Sequence, residues 1–122
     1  MTELRPHFSP ALRAGDYIFV SGQLPFDAEM KLVGGGIEAQ TRACIGHIEN
    51  ALAGVGSTLD HVVKTMVWLT DPGDFSDFNA TYAEYFRDSP PARATVGSTL
   101  MVPGALIEMD AIAYHPEPRH GG

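Results

Sequence analysis

Few side chains in this sequence could carry out chemistry, and the first of them is an arginine. In "SPPARATVG" (89–97) two prolines, Pro90 and Pro91, fix the approach to Arg93. A guanidinium can hold a carboxylate through two parallel hydrogen bonds and stays charged at any working pH. Taken alone, an arginine after such a turn reads as a surface or ion-pairing residue. The second candidate is a pair of acids, Glu108 and Asp110, in "ALIEMDAIAY" (105–114). At i and i+2 they share one face of a strand. A carboxylate pushed toward neutrality by apolar neighbours such as Leu106 and Ile112 is suited to proton transfer. Without further context, the same two acids read as a solvated strand edge.

Other reactive patterns are missing from the sequence. The five histidines, His7, His47, His61, His115 and His120, show no metal-ligand spacing. There is no Gly-x-Ser-x-Gly elbow. A single cysteine, Cys44, excludes an intrachain disulfide and a cysteine metal knuckle, and its place in a helical pattern marks it as a small buried hydrophobe. Gly34-Gly35-Gly36 lacks the spacing of a dinucleotide-binding loop and reads as a flexible turn. "NAT" (79–81) fits a glycosylation pattern but falls in a predicted helix, which argues against its use.

The elements that must position these residues follow from periodicity. "ALRAGDYIFVSG" (11–22) reads as two extended runs about Gly15-Asp16, a plausible hairpin turn, and "MKLV" (30–33) as a third short strand. From Ile37 the period becomes helical, with Thr41, Ile45, Ile48, Leu52 and Val55 on one face, ending at Gly54 or Gly56. "HVVKTMVWLT" (61–70) is strand-like, with Val63, Thr65, Val67 and Leu69 on one side. Asp71 or Asp74 caps a second helix whose apolar stripe is Phe75, Phe78, Tyr82, Tyr85 and Phe86. Strands at 93–100 and 105–114 complete an α+β domain: a mostly antiparallel β-sheet with two helices packed on one face.

Alternation in the last strand is unusually clear. Ala105, Ile107, Met109, Ala111 and Ala113 point one way, toward the helices; Leu106, Glu108, Asp110, Ile112 and Tyr114 point the other. Acids among bulky apolar residues imply a partner surface that covers the apolar part, and sheet-against-sheet association of subunits would do this.

The length of 122 residues, with 44% hydrophobic and 19% charged, fits one soluble globular domain over 1–114, followed by a loose, proline-rich tail at 115–122. A net charge of −7 argues against nucleic acid and an anionic membrane surface as partners. "MTELRPHF" lacks the features of a leader peptide, and no run of about 18 apolar residues occurs. A cytoplasmic location is expected.

Four stretches, "YIFVSGQLP" (17–25), "FNATYAEYF" (78–86), "PARATV" (91–96) and "IEMDAIA" (107–113), resemble in order and separation the RidA/YjgF family of enamine/imine deaminases. The resemblance runs from about residue 6 to residue 114. It implies a chorismate-mutase-like fold and a homotrimer with its sheets packed inside and clefts between subunits. It also implies hydrolysis of carboxylate-bearing enamines and imines (2-aminoacrylate and 2-iminopropanoate, or 2-iminobutanoate) to keto acid and ammonia, with no metal or organic cofactor. By position, Arg93 matches the arginine that binds the substrate carboxylate, and Glu108 the glutamate that places water or handles protons. Thr95 matches a position whose backbone contacts substrate, though the familiar side chain there is cysteine. Asn79 matches a helical asparagine near the cleft, and Ser21 and Gly22 the pair lining it. The "PHFS" stretch (6–9) puts Phe8 where many members carry tyrosine, so no hydroxyl is offered there. Arg93 and Glu108 are expected to meet in one crevice where two chains abut, with Arg93 lowering the Glu108 pKa and the apolar surroundings raising it. The other readings are a dedicated deaminase of the same family, acting on 2-aminomuconate or 3-aminoacrylate, and a non-catalytic trimer that binds small molecules. A ribonuclease, a label some members carry, fits the acidic charge least.

Overall fold

Gly15 decides where the chain first turns back. Its φ of 62° lies in the left-handed region that the first residue of a two-residue hairpin turn requires. The turn joins β1 (Ala11–Ala14) to β2 (Tyr17–Gln23), in register from Ala14–Tyr17 to Ala11–Val20. The computed structural model describes residues 6–118. The remaining elements are α1 (Gly36–Ala53), β3 (Val62–Leu69), α2 (Phe75–Tyr85), β4 (Ala92–Gly97) and β5 (Ile107–Tyr114). One five-stranded sheet runs in the order β1-β2-β5-β3-β4. All its pairs are antiparallel except β3–β4, the parallel pair that α2 bridges.

Both helices lie on one face. Ile45, Ile48 and Leu52 of α1 and Phe78 and Tyr82 of α2 join Ile18, Val67, Leu69, Ile107, Met109, Ala111 and Ala113 of the sheet in a single buried cluster. The alternation expected of the last strand holds: Ala105, Ile107, Met109, Ala111 and Ala113 are each 0–3% exposed, whereas Glu108, Asp110 and Ile112 are half-buried and Tyr114 is exposed. Helix α1 opens at Gly36 (φ 75°) behind its cap Gly35 (φ 102°), so the last two glycines of the triplet are the left-handed entry to that helix.

Three local expectations need correction. "MKLV" contributes a single bridge, Phe26–Leu32, and no strand. The Asp27 carboxylate accepts hydrogen bonds from the N–H groups of Glu29 and Lys31, closing a tight loop where a ladder would need those donors. In β3 the inward set begins at Val62, not Val63, which is 44% exposed. The β3–β5 register slips between Val62 and Lys64, and one extra residue in a strand reverses the facing beyond it. Along α2 and its C-cap the buried aromatic stripe is Phe78, Tyr82 and Phe86, with Tyr85 half-buried and Phe75 exposed. Asp71 does act as a cap: its carboxylate accepts the Gly73 N–H at 2.8 Å, opening the 3₁₀ turn Pro72–Asp74 that leads into α2.

The start of the expected loose tail is tied down. The His115 N–H donates to the Asp16 carbonyl and the Glu117 N–H to the Asp16 carboxylate, while Arg13 donates to the His115 carbonyl. The His61 and His115 rings stack 3.7 Å apart. Residues 119–122 of that tail lie outside the described part.

Candidate functional site

Arg93 is the second residue of β4, an edge strand. It stands opposite Thr65 of β3, which is wholly buried, so both side chains lie on the helix-covered face. The Arg93 Cζ sits 4.8 Å from the ring centre of Tyr82, 5.2 Å from Phe78 and 5.6 Å from Phe75. Among the described residues no carboxylate pairs with it. Arg93 opens onto a groove of about 570 Å³ whose walls include Asn79, Tyr82, Phe86 and Pro91. Asn79 is thus brought together with Arg93, as the sequence suggested. Thr95, two residues along the same strand, points to the same face opposite Val67. Its buried hydroxyl has no hydrogen-bond partner among the described residues.

Glu108 belongs to a second cluster. It stands opposite Trp68 on the face the helices leave open. Gly22 lies against it: a Cβ at residue 22 would come within 3.2 Å of the Glu108 Cδ and overlap a carboxylate oxygen. Glycine is therefore required for the acid to lie against the β2 backbone, which is irregular between Val20 and Gln23. Ser21 hooks the N-terminal segment to this cluster. Its hydroxyl donates to the Ser9 carbonyl at 2.6 Å and its N–H to the Pro10 carbonyl at 3.0 Å, which brings the exposed "PHFS" stretch with Phe8 alongside.

Burial raises the Glu108 pKa, and the Asp110 carboxylate two residues on raises it further. Arg93 exerts no opposing pull, being on the other face. Burial also raises Asp110, against a hydrogen bond from the Met66 N–H and the nearby charge of Lys64. The Cys44 thiol is pushed well up, first by burial and then by the Glu108 charge, which leaves it a poor nucleophile.

The seven residues singled out from sequence thus form two groups: Arg93, Thr95 and Asn79 on the helix side; Glu108, Gly22, Ser21 and Phe8 on the open side. Within one chain the sheet separates them, and Arg93 and Glu108 do not share a crevice. What sequence reasoning missed is the aromatic bed under Arg93. The stripe on α2 was legible only as core, because the register that sets Arg93 over it comes from the parallel β3–β4 pairing.

The profile of the family described as Endoribonuclease L-PSP matches residues 2–115, nearly the whole chain and all four motif stretches. The chain belongs to the RidA/YjgF family. A RutC family protein of Pyrococcus abyssi is 44% identical over 108 residues, which is 88% of this chain and 85% of that protein. The crystal structure of yeast Mmf1 superposes with a TM-score of 0.86 at 34% identity, covering 92% of this chain and 90% of that one. RidA from the Antarctic bacterium Psychrobacter sp. PAMC 21119 gives 0.84 at 33% identity, covering 92% and 91%. The α+β architecture is therefore that of the RidA/YjgF proteins. No helix among the described residues is long and apolar enough to cross a membrane.

Proposed function

We propose that this RidA/YjgF member hydrolyses small imines and enamines that carry a carboxylate, of the 2-aminoacrylate/2-iminopropanoate type. The observation that carries the reading is Arg93: a half-buried guanidinium, unpaired among the described residues, opening on a groove with Asn79 at its wall. Such a group is matched to an external carboxylate, which it can hold by two charge-assisted hydrogen bonds.

The chemistry asks for little beyond placement and proton transfer. An enamine first takes a proton at carbon and becomes the imine. Water then adds to the C=N carbon, its oxygen forming the new bond while the π electrons pass to nitrogen. The proton lost by the water goes to the Glu108 carboxylate and returns to the nitrogen. The adduct's hydroxyl proton then passes to nitrogen by the same carboxylate as the C–N bond breaks, so that ammonia leaves and the oxygen electrons close the carbonyl of the keto acid. A glutamate whose pKa is raised by burial and by Asp110 is the better base and acid for this relay.

Since the two clusters occupy opposite faces, the reading requires a second copy of the chain. A homotrimer with open faces packed inward would bring Glu108 of one copy toward Arg93 of another. Uncovered Leu12, Tyr17, Phe19, Val96 and Tyr114, each 40–60% exposed, favour such packing. The family description names a ribonuclease, but a net charge of −7 offers little to neutralise phosphates. The test is the decay of 2-iminopropanoate released in situ from 2-aminoacrylate. Wild-type protein accelerates it and Arg93→Ala returns it to background. Undiminished acceleration by the variant refutes the anchor, and ligand binding without acceleration of any imine identifies a non-catalytic binder.

A further inference from the structure

We infer that Tyr82 is a positioning residue, which orients the Arg93 guanidinium while leaving its N–H donors free. The inference rests on the proposed role of Arg93 as carboxylate anchor and adds what holds that anchor in place.

A carboxylate is one way to fix an arginine, and among the described residues it is used for two. Arg42 pairs with Glu38 at 3.2 Å and Glu84 at 2.6 Å, and Arg13 pairs with Glu117 at 3.7 Å. The Arg42 pairs use up guanidinium donors, and Arg13 spends its own on the Gly15 and His115 carbonyls. An anchor meant for an external carboxylate cannot be fixed that way, yet left loose it would lose side-chain entropy on each binding event. Aromatic faces solve the conflict. They attract the cation electrostatically and define its place while accepting no N–H hydrogen bond in its plane.

Tyr82 is the nearest of the three rings to Cζ and is 4% exposed. It also has the polar handle the phenylalanines lack. Its Oη lies 2.8 Å from the Thr65 Oγ1, a buried hydrogen bond. Thr65 is the residue directly opposite Arg93 in the β3–β4 register. The strand pairing therefore fixes Arg93 and Thr65 together, Thr65 fixes the Tyr82 ring, and the ring fixes the guanidinium. Phe75 and Phe78 extend the bed along the helix, with ring centres 6.2 Å apart.

The test uses full-length protein, with pyruvate as the carboxylate probe and 2-iminopropanoate as substrate. Tyr82→Phe keeps the π face but loses the Thr65 tether, so KM rises by about two- to threefold, well short of the Leu variant, with kcat little changed. Tyr82→Leu removes the π face; pyruvate affinity falls and KM rises by about tenfold, with kcat changed by less than about twofold. The direct signature is the Arg93 Nε–H resonance, assigned by its loss in Arg93→Lys. In wild type and Tyr82→Phe it is shifted by ring currents; in Tyr82→Leu it moves to the position of a free arginine. Unchanged KM in folded Tyr82→Leu, or equal losses in the Phe and Leu variants, overturns the inference. Should Tyr82→Leu fail to fold, the wild-type signal decides alone, since an unshifted, freely averaging Nε–H in the wild type is equally fatal. The anchor itself is judged separately: if Arg93→Ala turns over 2-iminopropanoate normally, the function proposed for Arg93 fails, whatever the resonance shows.

Discussion

Ile107 and Glu108 are neighbours in β5, yet one is sealed under two helices and the other lies on an open sheet face beside Gly22. The covered face is finished within the chain. Its apolar residues find partners from both helices, and Arg93, half-buried on that side, sits on aromatic rings. The open face is unfinished: bulky apolar side chains remain in water, and two carboxylates are partly desolvated with no cation among the described residues bonded to either. The difference teaches that folding completes one interior of this sheet, while under the proposed function association of copies would complete the other.

The sharpest way to break that contrast is to charge the open face. Phe19 stands opposite Ile112 near its middle, 45% exposed. Phe19→Asp is expected to abolish association, seen by sedimentation, and with it imine hydrolysis, while far-UV circular dichroism stays native. A charged variant that remains assembled and active removes the open face from the site. On the covered side, Arg93→Ala is expected to cost about 100-fold or more in kcat/KM, the loss of two charge-assisted hydrogen bonds. Arg93→Lys should recover only a small part, because an ammonium lacks the fork; full recovery would make the anchor a simple point charge.

Smaller effects probe the acid. Gly22→Ala places a methyl where the Glu108 carboxylate lies, so the acid must swing away. A loss of about tenfold in kcat with KM little changed is expected, as for a displaced general base. Activity equal to wild type would show that the contact has no part in turnover. The smallest effect concerns pH and stability. A carboxylate whose folded pKa is raised contributes stability that is present below its unfolded value, about 4.3, and is lost as pH rises through the folded value. Glu108→Gln abolishes that loss, so its melting temperature should exceed that of wild type by about 1–3 °C near neutrality. The difference should vanish below about pH 4. A difference that is constant across pH would assign it to packing and not to the charge.

Much of the fold was legible because it is written in local periods. Strict alternation from Ala105 to Ala113 identified the buried side of β5, and spacings of three and four from Thr41 to Leu52 identified that of α1. Irregularities were not legible. The slip at Val63 and the Asp27 loop arise where a side chain or an extra residue takes over backbone partners, and neither leaves a periodic trace. Of the candidate site, the proximity of Asn79 to Arg93 was anticipated. The contact of Gly22 with Glu108 and the stacking of Arg93 on Tyr82 depend on cross-strand and helix-to-strand neighbours.

By itself, then, the sequence determined which residues form each element, which side of each regular strand is apolar, and family membership through four spaced stretches. Only the tertiary structure decided that Arg93 and Glu108 face opposite ways. The physical reason is that side-chain direction is fixed locally relative to a strand's own pleat, whereas the face of the sheet it reaches depends on how β4 is registered against β3 and β3 against β5, contacts between residues far apart in the chain.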